Sequence, residues 1–152
     1  MSVSCKRLAP TANDGKIKII ENFLNKNLEF DGKSKLIKYL IDHYISLANI
    51  SEGCKKADFI NKEIKDKYLE KFRIYCLVLN KKQEEAILNF DLLRDEGRSD
   101  KFFNDKISFL LGLQEKTSDK ISDKNLLNFY LSLKFGIQIF CLEEIHLMLH
   151  RL

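Results

Sequence analysis

The chain has 152 residues, 45% hydrophobic and 32% charged, with one proline, six glycines and no tryptophan. That length suits one domain with a sizeable core, and so little proline and glycine leaves few turns for a β-sandwich. The net charge of +4 is spread as lysine beside aspartate or glutamate, with no arginine cluster and no basic strip interleaved with aromatics. This pattern reads as solvated helix faces and not as a nucleic-acid surface. Residues 1–76 hold 15 basic and 10 acidic groups, and residues 77–152 hold 11 and 12.

The opening, MSVSCKRLAPTAND, has no apolar core of the kind a secretory signal carries. It reads as a disordered lead over 1–14, followed by one helical domain over 15–152. A first helix is expected at about 16–28, with Asp14 as N-cap and Ile17, Ile20, Phe23, Leu24 and Leu28 on one face. Asp31-Gly32 marks a turn. A second helix, about 34–50, places Leu36, Ile37, Leu40, Ile41, Tyr44, Leu47 and Ala48 at helical spacing. A third, about 52–64, is capped by Ser51 and weakened by Gly53 in its first turn.

The fourth helix, about 67–79, carries Tyr68, Leu69, Phe72, Tyr75, Cys76 and Leu79. The fifth, about 82–95, presents Ala86, Ile87, Phe90 and Leu93, and Gly97 stands ready as its C′ residue. The sixth, about 100–113, follows Ser99 and shows Phe102, Phe103, Ile107, Leu110 and Leu111. Residues 114–122 form a polar linker. A seventh helix, about 123–135, is capped by Ser122, and an eighth covers about 137–152. That last segment is apolar round nearly its whole circumference, which points to burial, to pairing with a second copy as a homodimer, or to a continuing stack.

The segments starting at 35, 67 and 101 each open a helix followed by another, and periods of this size mark helix-pair repeats. The pairs fall at about 34–64, 67–96 and 100–135. The middle unit reads as two helices joined at Asn80-Lys81-Lys82, with Glu84-Glu85-Ala86-Ile87 and then Phe90 in the second. Over about residues 69–97 it resembles a tetratricopeptide repeat. In that family the alanine lets the two helices of a pair approach closely, and the aromatic plugs the gap toward the next unit. The resemblance implies an all-α, right-handed stack of antiparallel helix pairs, an α-solenoid, whose first helices line a groove that binds peptides or partner domains.

Candidate chemistry is sparse. Glu143, His146 and His150 share a helix face, and two histidines four apart with a carboxylate are weak metal-ligand candidates. No fourth ligand accompanies them, so no metal or other cofactor is expected. Cys5, Cys54, Cys76 and Cys141 form no CxxC pair. They read as small buried hydrophobes, which favours a reducing, cytoplasmic setting. No phosphate loop or nucleophile elbow is present, and no run approaches the roughly 18 apolar residues of a membrane span.

The reading is therefore a non-enzymatic interaction scaffold holding a protein or peptide in a groove lined by the second, fourth and sixth helices. Tyr39, His43, Tyr68, Arg73, Phe102 and Phe103 are the candidate partner-binding residues, and Ala86, Phe90 and Gly97 the structural ones. Phe102 and Phe103 are adjacent, so both cannot face one core. The alternatives are a superhelical segment of a larger bacterial enzyme, for instance a cell-wall lytic enzyme, and a homodimeric structural bundle joined through 137–152.

Overall fold

A computed structural model of the chain describes residues 14–136. Among the described residues it is all-helical, with seven α-helices, one 3-10 turn and no strand. The expected lead, Cys5, and the last helix with Cys141, Glu143, His146, His150 and its dimer contact lie outside the described residues.

Helix α1 (Asp14–Lys26) opens on an acidic residue and closes on a basic one, which suits its dipole. It buries Ile17 and Leu24. Helix α2 (Lys33–Ser46) buries Ile37, Leu40, Ile41 and Ile45. It stops short of the expected boundary because Ala48 takes a left-handed conformation, φ 52°. The Ala48 amide then donates to the Ile45 carbonyl at 2.8 Å and the Asn49 amide to Tyr44 at 2.9 Å. Three further helices close with this same pair of backward bonds, after Lys81, Gly97 and Gly112.

The third expected helix is the main departure. Helix α3 (Ile50–Lys55) has six residues, followed by a 3-10 turn (Lys56–Phe59), and Ile60 is extended. Asn61 explains the stop: its side-chain oxygen accepts from the Ile64 amide at 3.2 Å, a local turn that competes with helix. Gly53 is no mere weakness here. A β-carbon on it would meet Phe72 and Tyr44 at 3.2 Å, so the glycine lets α3 lie tightly on its neighbours.

Helix α4 (Lys67–Leu79) begins where Asp66 accepts from the amides of Tyr68 and Leu69. It occupies the centre, touching α2, α3, α5 and α6, with Leu69, Phe72 and Tyr75 sealed from solvent. Helix α5 (Gln83–Asp95) folds back on α4 through a tight turn and buries Ala86, Phe90 and Leu93. Helix α6 (Lys101–Leu110) is capped by Asp100, while Ser99 bonds Asn104 instead.

An irregular segment, 111–125, leads to α7 (Leu126–Gly136). Asn125 caps α7, and the expected cap, Ser122, instead donates its amide to Ser132 along the helix. The segment is pinned from α6: Asp105 accepts from Gln114, Thr117 and the Ser118 amide. Beside it the ammonium of Lys106, 1% exposed, bonds Thr117 and the Ser118 carbonyl and lies over the rings of Phe102 and Phe135. The lysine is buried because every donor direction finds an acceptor or a ring face.

Helix α7 packs on α2 and α6 and buries Leu127 and Leu131 fully. The Leu127 amide lies at the Tyr68 hydroxyl, and Lys134 Nζ donates to the Tyr75 hydroxyl at 2.9 Å. Both intervals are seven residues, so α7 runs in the direction of α4.

Candidate functional site

Three neighbouring pieces of chain build a groove on the outer side of the α4–α5 hairpin. Its floor is α4, through Glu70, Arg73 and Ile74. One wall is the segment 60–65 that follows the 3-10 turn. The other is the flank of α5 that carries Leu88, Leu92 and Glu96. The cavity is about 440 Å³. It exists because α3 is short. A third helix reaching residue 64 would lie along α5, whereas the extended chain that replaces it leaves the α5 flank open. Leu88 is 61% exposed and Leu92 52%, one turn apart on the face away from Ala86 and Phe90.

The rims are charged. Arg73 pairs with Glu85 at 3.7 Å. Arg98 donates to both Glu70 and Glu96. The hydrogen bond from Arg98 holds the Glu96 carboxyl below its ordinary range, with Lys65 adding to the effect, and the same bonds raise the Arg98 guanidinium. Lys62 and Lys65 stand exposed on the opposite wall. An apolar strip between charged rims is what a docking groove for an amphipathic segment requires: leucine contact for affinity, ion pairs for register.

The residues singled out from sequence do not converge. Arg73 is in this groove. Tyr68 donates to Asp42 and lies under the Lys38 ammonium, facing α7. His43 is partly buried, its Nε2 3.9 Å from Asp14 Oδ1 and its ring edge-on to Tyr44. Tyr39 is exposed beside Ile19, Ile20 and Leu36 in a shallow apolar cleft between α1 and α2. Phe103, expected among the exposed aromatics, is completely buried against Phe90, ring centres 6.3 Å apart. Phe102 is half-buried under Lys106. The adjacent pair thus divides between core and surface.

The expected groove over the second, fourth and sixth helices is not open. Helix α7 lies across α2 and α6, with Tyr130 edge-on to Tyr75 of α4 at 6.4 Å. The chain fills that face with its own apolar helix, because Leu126, Leu127, Tyr130, Leu131 and Leu133 leave α7 no stable place in water.

The cysteines also depart from expectation. Cys54 and Cys76 are joined as a disulfide between α3 and α4, Cα–Cα 5.3 Å. Spacing alone hid this, since the pair is 22 residues apart on helices whose crossing the sequence does not announce. Leu88 and Leu92 were missed for a different reason. The stripe Ala86–Phe90–Leu93 accounts for the helix, and the two leucines opposite it were the available signal. No helix among the described residues is long and apolar enough to cross a membrane. Comparison with family models, curated proteins and solved structures finds no match for this chain.

Proposed function

We propose that this chain is a non-enzymatic interaction scaffold that docks an amphipathic helix of a partner protein in the groove beside α5. The observation that supports the reading most is the open pair Leu88 and Leu92 facing a wall of non-helical chain. The docked helix occupies the place of the missing part of α3 and completes the outer layer. In this reading α2 with α3 and α4 with α5 are successive pairs of a short, tetratricopeptide-like stack. The third pair is cut off after α6, and α7 caps the inner face. A partner that covers both leucines gains about 1.5–3 kcal/mol for each one fully buried, which sets the floor of a specific contact.

The test is site-specific photo-crosslinking in cells, with benzoylphenylalanine at position 88 and, as control, at the exposed Ile121 of the linker. The reading expects an adduct at 88, absent at 121, whose cross-linked peptide maps to a helical stretch of a different protein. Adducts of the chain with itself alone, or equal labelling at both positions, would overturn it.

A further inference from the structure

The groove wall at 60–65 is held by little regular structure. It continues from α3, a six-residue helix, and the 3-10 turn. A helix of that length does not persist by itself, because the first turn costs more than its few hydrogen bonds return. Non-covalent anchors are Ile50, Ala57 and Ile60 in the core, the Lys56–Glu21 pair at 3.2 Å, and Asn61 donating to Glu29 at 3.1 Å. The covalent anchor is the bond from Cys54 on α3 to Cys76 on α4. Cys76 is buried and Cys54 is partly exposed, so one sulfur is open to approach.

We propose that the Cys54–Cys76 disulfide is a redox latch on the outer groove. Oxidised, it clamps α3 and the 3-10 turn on α4 and keeps 60–65 in place as a wall. Reduced, the stretch 50–65 opens locally while the body of α2, α4, α5, α6 and α7 stays folded. The reductant is a protein dithiol. Its thiolate attacks Cys54 Sγ, the S–S bond breaks, and Cys76 leaves as a thiolate that takes a proton. The second thiol of the reductant then attacks the mixed disulfide and frees Cys54. Two electrons and two protons pass to the latch, and the reductant departs as a disulfide. The functional meaning of the latch rests on the groove reading, but the latch is testable without any partner.

The experiment is hydrogen exchange by mass spectrometry on the full chain, air-oxidised and then reduced with a phosphine. Opening of a loop closed over this separation is expected to speed exchange at amides 56–65 by a factor on the order of 100. Amides in α2 and α5 should change by less than about threefold. The Cys54→Ser variant, without reductant, should exchange like the reduced protein. Two reactive thiols at 54 and 76 in the air-oxidised protein, no change on reduction, or equal acceleration in every helix would each overturn the latch. The crosslink at position 88 separates the two ideas. Its absence in both redox states removes the groove and leaves the exchange result standing, whereas its presence with unchanged exchange removes only the latch.

Discussion

Lys81 turns the chain from α4 into α5 with a positive φ of 58°, a conformation that costs an L-residue about 1–2 kcal/mol and costs glycine nothing. Glycine carries extra freedom in the unfolded chain, which takes back about 0.5–1 kcal/mol. Lys81→Gly should therefore stabilise the protein by about 0.5–1 kcal/mol in chemical denaturation. A destabilised variant would mean that the Lys81 side chain itself supports the turn. Gly97, with φ 66°, does the same work after α5 and was readable in the sequence, whereas Lys81 and Ala48 were not, because neither residue type signals a left-handed backbone. Asp100 belongs to the same scale. Burial alone would raise its carboxyl, but the hydrogen bonds from Lys71 and the Phe103 amide outweigh it and leave the group below 3.8. A depressed folded value contributes stability that is present above the unfolded value and is lost as the pH falls through the folded one. Stability should thus decline on acidification below about pH 4, and Asp100→Asn should flatten that slope in denaturation curves taken from pH 6 to pH 2. Asp42 acts in the opposite sense. Burial raises it despite the Tyr68 bond, so its contribution falls as the pH rises from the unfolded value through the folded one.

At the scale of elements, α4 and α5 were legible nearly to the residue. Their apolar stripes are regular, Asp66 and Gly97 punctuate them, and the polar turn between them is short. Ala86 is fully buried where α5 meets α4. Ala86→Leu should destabilise by about 1–3 kcal/mol through overpacking. An unchanged melting temperature would mean that the contact has slack. The third helix was misjudged for a physical reason that a period count does not see. Its apolar spacing continues to Ile64, but Asn61 offers the backbone a local partner and ends the helix early. Helix α7 was placed within about three residues at its start, yet its position on α2 and α6 could not be read. An element apolar on all sides says that it must be covered and not by what. The linker before it reads as loose polar chain, and only the structure shows Asp105 and the buried Lys106 tying it down.

For the whole molecule, two consequences follow from the same economy of apolar surface. The inner face of α2, α4 and α6 is closed from within by α7, and the outer flank of α5 is left open by a helix that stops early. The all-helical class and the order of the helices through α6 were in the sequence. Which face remains free was not, because that depends on a helix length decided by one asparagine and on a disulfide between distant cysteines. The central claim is that Leu88 and Leu92 are a free surface for a partner and not structural residues. It is tested most directly by the equilibrium stability of the double variant Leu88→Asp/Leu92→Asp, measured by urea unfolding. Exposed positions give changes within about 0.5 kcal/mol each, so the variant should unfold within about 1 kcal/mol of the parent and lose the crosslink when the probe is moved to Asn89. A loss of about 4 kcal/mol or more, the scale of two buried leucines, would show that the α5 flank is covered in the folded protein and would contradict the account.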